Sequence, residues 1–159
     1  MSTGGHVFPG ETRLWRHLRI EWNDVATEIR AAAEPHVLAA LFALPSWVTE
    51  LNLFWSETGE TECGEAALSV TVRDEYRLLS VFIHPGFLAF DAEGRYRTIM
   101  HEFSHALVHP VVAFAESLIE QLPEAAQGIA KEQLRRANES ATQDATEALL
   151  RAHGYAGES

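Results

Sequence analysis

The sequence predicts an α+β fold in which a small antiparallel sheet is set between helices. Apolar residues recur at three- and four-residue steps near both ends of the chain, whereas residues 47–83 are rich in β-branched and aromatic side chains. With 159 residues, 47% of them apolar, the chain can bury one core without disulfide bonds. We therefore expect a flexible N-terminus over residues 1–10 and a single domain over residues 11–159.

The N-terminal part of the domain is predicted to be helical. From Glu11 to Ala33 the apolar residues follow a helical period, and Thr12 is a candidate N-cap. Proline removes a backbone donor and restricts the residue before it. Pro35 should therefore end this helix or separate it from a short second helix that runs through Leu44.

Three short strands are predicted next, in an antiparallel meander. They span Trp47 to Trp55, Ala66 to Val72 and Tyr76 to Ile83. Polar turns separate them at Ser56 to Gly64 and at Arg73 to Glu75. Short connections of this kind join antiparallel neighbours, so we expect each strand to pair with the next.

The remainder of the chain is predicted to be helical again. The expected helices span Arg95 to Val108, Val111 to Gln121, and about Glu124 or Lys131 to Ala152. Pro110 disfavours helical geometry at His109, so a break or kink is expected there. Pro123 marks a new start, and Gly154 is a C-cap signal after the last helix.

Charge and composition argue against several classes of protein. Twelve Lys and Arg against 23 Asp and Glu give a net charge of −11, whereas nucleic-acid binding depends on basic surfaces. No segment approaches the roughly 20 apolar residues that span a bilayer, and no signal peptide is apparent. Cys63 has no cysteine partner and suits a reducing compartment. We expect a cytoplasmic protein with no nucleic-acid or membrane partner; the sequence indicates no oligomeric state.

The stretch His101-Glu102-Phe103-Ser104-His105 indicates a metal site. Residues four apart lie one turn apart on the same face of a helix, so both imidazoles can reach one ion. Glu102 follows the first histidine and can lean over the open metal position to accept a proton from water. This H-E-x-x-H pattern in an apolar helix predicts a zinc enzyme.

A catalytic zinc site usually takes three protein ligands, and the third is not given by the motif itself. The metzincin pattern would place glycine and histidine where Val108 and Val111 stand, so that class is excluded. The remaining candidates are His109, Glu116, Glu120 and Glu139. His109 would lie about 80° from His101 on an unbroken helix, which suits convergence on one ion poorly.

Glu139 is the favoured third ligand. Its neighbours Ala137, Ser140 and Ala141 are small and would let its helix approach the histidine helix closely. The alternative interpretation is an exposed glutamate that pairs with a nearby arginine, a common surface arrangement of little energetic value.

These features resemble the gluzincin metallopeptidases in their smallest, single-domain form. The resemblance covers roughly Trp47 to His153 in layout and is specific only at His101 to His105 and at Asn138-Glu139. It implies a zincin-like fold, zinc as the cofactor, and a peptide or protein substrate that pairs with the edge strand of the sheet. Tyr76 to Ile83, or the strand next to it, would be that edge strand.

Carried over by position, the resemblance implies zinc on His101, His105 and Glu139, with Glu102 as general base. The interval from His105 to Glu139 is longer than in thermolysin-like members. The family also tends to place an aspartate four residues after the glutamate, where it orients the first histidine; here that position is Gln143, with Asp144 one step further. Gln143 could accept the same hydrogen bond.

Hydrolysis needs a donor that stabilises the tetrahedral oxyanion. Tyr155 and His153, just beyond the predicted glutamate helix, are the first candidates, and His109 and His84 are further ones. The sequence thus predicts a zinc metallopeptidase. The alternatives are a catalytically weak or inactive zinc-binding module with an interaction or regulatory role, and a domain in which the motif is incidental.

Overall fold

The computed structural model describes residues 17–58, 60–61 and 64–153 and confirms the α+β class. The elements are β1 (Arg19–Asn23), α1 (Thr27–Ala40), β2 (Glu50–Trp55), β3 (Glu60–Thr61), β4 (Gly64–Glu65), β5 (Leu68–Arg73), β6 (Leu78–Ile83), α2 (Ala92–Ile119) and α3 (Glu124–Ala152). Short 3-10 turns lie at Leu41–Ala43, Asp74–Tyr76 and Pro85–Ala89. The predicted features at residues 1–10, Thr12 and Gly154 lie outside the described residues.

The main sheet is mixed, which corrects the predicted antiparallel meander. Its strand order is β1-β2-β6-β5; β1, β2 and β6 are parallel, and β5 is antiparallel to β6. The crossover from β1 to β2 carries α1, the kind of long connection that parallel neighbours require. In the predicted meander β5 would pair with both β2 and β6. In the structure β6 is the strand that pairs with both β2 and β5. As a result β5 is an edge strand. The predicted long turn at 56–64 holds part of the small β3-β4 ladder.

The predicted helix from Glu11 to Ala33 is wrong over β1. Three apolar residues of this segment alternate and pack, partly buried, against the core: Leu18, Ile20 and Trp22. They fit a period of two as well as a helical period, and pairing with β2 decides between the two. The helix begins only at Thr27, and its buried residues Ile29, Ala33 and Val37 recur every four positions.

Neither interior proline ends its helix, contrary to both predictions. Pro35 lies within α1, and Pro110 lies within α2, which continues to Ile119. Both prolines are exposed. α2 packs along α3 on both sides of Pro110, and this tertiary contact outweighs the local preference for a break. The predicted helices on either side of Pro110 are therefore one helix, whereas the start of α3 after Pro123 is confirmed.

One face of the sheet carries the core. Alternate residues of the central strands point into it, namely Leu51, Leu53, Leu79, Val81 and Ile83. Helix α2 contributes Ile99, Met100, Phe103 and Ala106 to the same cluster. In the described part of the chain, no helix combines the length and apolar character needed to cross a membrane.

Candidate metal centre

The two histidines of the motif face a cavity because the opposite side of α2 is buried. Phe103 and Ala106 are fully enclosed in the core, so the helical period turns His101 and His105 away from it. The cavity has a volume of about 420 Å³ and lies between α2, α3 and the edge strand β5. The sequence-predicted helix thus carries its motif into an open cleft.

The two imidazoles lie side by side with their rings nearly perpendicular. The ring centroids of His101 and His105 are 5.0 Å apart at an interplanar angle of 87°. One ligand atom from each histidine and one from Glu102 all lie within 4.8 Å of one another. Burial, and secondly the nearby His101, lower the pKa of His105. This favours the neutral imidazole that a metal ion requires.

Glu139 of α3 closes the site opposite the histidines. Its Oε2 lies 3.6 Å from Nε2 of His101, and its Oε1 lies 3.9 Å from Nε2 of His105. Ligand atoms at 2.0–2.2 Å around a tetrahedral zinc ion are about 3.3–3.5 Å apart, so shifts of a few tenths of an ångström would suffice. Glu139 approaches both imidazoles within 4.0 Å from a second helix, and a carboxylate oxygen of Glu102 lies within 4.8 Å of a ligand atom of each histidine. The geometry therefore favours Glu139 as third ligand.

The small neighbours of Glu139 do not lie between α3 and α2, contrary to the prediction from the sequence. Ala137, Ser140 and Ala141 are exposed, so their small size does not bring the helices together. The buried residues of α3 are Thr142, Thr146 and Leu150, on the side that packs into the protein. Glu139 lies beside this packed side and remains half exposed.

Glu102 is buried beside the histidines at 9% exposure. This burial, and secondly the negative charge of Glu139, raise the pKa of Glu102 to about 8. Among the described residues that line the cavity there is no lysine or arginine. Three carboxylates (Glu102, Glu116, Glu139) and three imidazoles (His101, His105, His109) therefore line a cavity without a lysine or arginine, a donor set that suits a divalent cation.

A hydroxyl relay orients His105. Thr142 Oγ1 lies 3.2 Å from His105 Nδ1 and 3.4 Å from Asn138 Oδ1. A threonine hydroxyl has one proton; when it donates that proton to Asn138, it accepts from the Nδ1–H of His105. Both contacts are then satisfied, and the lone pair of His105 Nε2 is directed toward His101 and Glu139.

Gln143 does not make the hydrogen bond to His101 that was expected of the residue at this position. Its side-chain amide donates to Oε1 of Glu147 at 3.1 Å, and it lines, together with His101, a second cavity of about 300 Å³ between α2 and α3. The orienting hydrogen bond of this site is made to the second histidine by Thr142, not to the first histidine by Gln143.

The other candidate ligands lie further along the cleft. His109 lines the cavity, but its Nε2 faces Oδ1 of Asp74 at 3.8 Å. Glu116 lines the far end of the cavity, about 16 Å along the helix from His105. Glu120 lies beyond it in a neighbouring cavity of about 510 Å³ between α2 and α3. None of these three side chains joins the histidine pair.

The candidate oxyanion donors are separated by the fold. His153 stacks on Phe42 with ring centroids 3.6 Å apart, about 20 Å along α3 from Glu139. His84 is buried, and its Nε2 lies 2.9 Å from Ser69 Oγ. Tyr155 lies outside the described residues. Of the three candidates that the structure describes, His109 is the one that lines the cavity.

Sequence reasoning overlooked Thr142 and assigned no role to the Asn138 side chain. Thr142 is the first of three buried positions on α3, Thr142, Thr146 and Leu150, which recur every four residues, and Asn138 lies one turn before it. That spacing was available as a signal of a packed helical face. A hydroxyl at a buried position needs a partner, and His105 is that partner.

We predict that Thr142 fixes the tautomer of His105. In the metal-free protein, long-range ¹H–¹⁵N correlation spectra should show the proton on Nδ1. Thr142→Val removes the acceptor at nearly the same volume, so this preference should be lost and zinc affinity should fall about tenfold or more. Thr142→Ser keeps the hydroxyl and should retain both properties. A wild-type proton on Nε2 would contradict the relay.

We also predict that Glu102 lowers the free energy of unfolding of the chelator-treated protein, and that this effect depends on pH. The raised pKa means that the folded state keeps the proton that the unfolded state loses, so wild-type stability falls as the pH rises from about 4.5 to about 8. Glu102→Gln cannot ionise and should be more stable than wild type by roughly 3–5 kcal/mol at pH 9. The two proteins should converge near pH 4.

Denaturant titrations across this pH range, with chelator present, measure the difference. Glu116→Gln is the matched control, because that carboxylate is exposed on the same helix and its replacement should change stability little. Equal stability of wild type and Glu102→Gln at pH 9 would contradict the predicted cost.

Comparison with known proteins identifies no relative. No protein-family model, curated protein sequence or solved structure matches the chain. Function is therefore argued from the geometry and chemistry of this cleft.

Proposed function

We propose that this protein is a zinc-dependent metallopeptidase of the zincin type, with the ligand arrangement of a single-domain gluzincin. One observation carries the proposal: His101, His105 and Glu139 converge with the buried base Glu102 in a cleft whose wall is an edge strand. We further propose a cytoplasmic location, which the single cysteine in the sequence supports.

Three side chains of this chain would hold the zinc ion. His105 is directed by Thr142, His101 lies one turn earlier on α2, and Glu139 brings the negative charge from α3. Two nitrogens and one oxygen from the protein would make the three-ligand set that is typical of catalytic rather than structural zinc sites. When bound, zinc supplies Lewis acidity, which polarises a carbonyl oxygen and lowers the pKa of water toward about 7.

Glu102 would act as general base and then as general acid. Its carboxylate would accept a proton from the attacking water as the new C–O bond forms at the peptide carbonyl. It would return that proton to the amine nitrogen as the C–N bond breaks. Burial raises the pKa of Glu102 to about 8, so its carboxylate is a stronger base than an exposed glutamate. A cation in the cleft would favour the ionised form that accepts the proton.

The edge of β5 would position an extended peptide. Within the described residues β5 pairs only with β6, and its residues Leu68, Ser69, Val70 and Val72 line the cavity opposite the histidines. Unpaired backbone groups on an edge strand can bind another chain as an added strand. Such a chain would run between β5 and α2, with a carbonyl near the metal position. This is the strand next to Tyr76 to Ile83, one of the two expected.

We predict that zinc affinity depends on Glu139 more than on the other candidate acids. Glu139→Ala should weaken zinc binding by at least about 100-fold, because it removes a ligand and the negative charge that balances the ion. Glu116→Ala and His109→Ala are matched controls on the same cleft and should bind zinc within a few-fold of wild type. Isothermal titration against a competing chelator measures all four proteins. The opposite ranking would assign the third ligand to another residue.

We predict that Glu102→Gln keeps zinc and loses peptide cleavage. The amide cannot accept the proton from water, so turnover should fall by at least about 10³-fold, while stoichiometric zinc remains in elemental analysis. Cleavage is assayed by mass spectrometry on a diverse peptide library with freshly zinc-loaded protein. If wild type binds zinc but cuts nothing in the library, the peptidase proposal fails and the zinc-binding module remains.

A further inference from the structure

The apolar face of α2 continues beyond the core into solvent. Met100 and Phe103 are fully buried on this face. Further along the helix the same face carries four apolar side chains, here named the α2 stripe: Leu107, Val111, Phe114 and Leu118. Val111 is 72% and Phe114 is 64% exposed, with Leu107 at 39% and Leu118 at 47%. No described residue covers this half of the face as the core covers the first half.

The spacing of the α2 stripe is that of a helix–helix seam. Its members follow one another at steps of four, three and four residues, the alternation that places apolar residues at a and d positions of a coiled coil. The residues that line the catalytic cleft, among them Val112 and Glu116, lie on other sides of the helix. The α2 stripe is therefore separate from the proposed active site, and a partner could occupy it without closing the cleft.

We propose that the α2 stripe is the interface of a homodimer, in which α2 of one copy packs antiparallel against α2 of a second copy. The four side chains expose roughly 400 Å² of apolar surface on each copy, within the about 300–600 Å² of the largest patch on a typical monomer. Two copies would cover roughly 800 Å² at these positions alone. Specific interfaces begin at about 1,000–1,200 Å², so the proposed dimer also requires flanking residues to bury roughly 200–400 Å² between the two copies.

Charge also favours a second copy of this chain as the occupant. The protein carries a net charge of −11, yet residues 107–115 contain no Asp, Glu, Lys or Arg. Two copies can therefore meet here without bringing like charges together. A strongly basic or acidic partner helix would find no opposite charge beside the seam to select it.

The antiparallel direction follows from what covers the first half of α2. The core and α1 enclose the face of α2 around Met100 and Phe103. In a parallel pair both copies would bring this bulk to the same end of the seam, where the two would collide. In an antiparallel pair the cores lie at opposite ends. An antiparallel seam pairs a with d positions, so Val111 should face Phe114 of the other copy, and Leu107 should face Leu118.

Sedimentation velocity of the full chain tests the proposal over about 1–200 μM protein. Wild type should show a concentration-dependent dimer. Val111→Gln combined with Phe114→Gln should raise the dissociation constant at least about 30-fold, as expected for central hot-spot residues, with an unchanged circular dichroism spectrum. Leu38→Gln, at an exposed leucine of α1, is the matched control and should dimerise like wild type. A wild type that stays monomeric at 200 μM overturns the proposal, as does a folded double variant that dimerises normally.

Disulfide cross-linking tests the direction even if the double variant fails to fold. In a Cys63→Ser background, an equimolar mixture of Leu107→Cys and Leu118→Cys proteins should cross-link on oxidation into a mixed dimer. Each protein alone should cross-link far less. Cross-linking of each variant with itself in preference to the mixture would overturn the antiparallel pair, and absence of any cross-link would overturn the interface.

Discussion

The site depends on the burial of one side of α2. The burial of Met100, Phe103 and Ala106 fixes the rotation of α2 about its axis. Successive residues are about 100° apart around a helix, so presenting a neighbouring residue to the core would require a rotation of about 100°. A rotation of that size would expose Phe103, at a cost of about 1.5–3 kcal/mol for one large apolar side chain. It would also push an imidazole into the core. The positions of His101 and His105 are thus a consequence of core packing, and neither histidine needs a contact of its own to face the cleft.

The second determinant is the packing of α3 on α2. Thr142 is buried at this contact and holds the His105 ring by its Nδ1, while Glu139, one turn earlier on α3, reaches both imidazoles. Glu102 bears the electrostatic cost of this arrangement, since a buried carboxylate without a basic partner is unfavourable. Groups with strongly shifted pKa values in a cleft are typical of functional sites. A cation in the cleft would offset the cost that Glu102 and Glu139 impose on each other.

Sequence patterns predicted the parts of this molecule that one helix or one strand determines by itself. The period of α2, the start of α3 after Pro123 and the strands β2, β5 and β6 follow from residues close together in the chain. Features that depend on distant partners were not accessible in this way. Ile20 and Trp22 fit two periods, and pairing with β2 decided for a strand. Pro35 and Pro110 are held in helices by packing that no local signal reports. Glu139 was predicted for a wrong reason, and Thr142 was overlooked, because its role exists only once α3 lies against His105.

We propose that His101, His105 and Glu139 together bind one zinc ion. Anomalous diffraction at the zinc edge, from crystals of the zinc-loaded protein, tests it most directly. We expect a single peak at full occupancy between these three side chains, with Zn–N distances of about 2.0–2.1 Å and a Zn–O distance of about 2.0–2.2 Å. No peak in the cleft, or a peak whose ligands exclude Glu139, would contradict it.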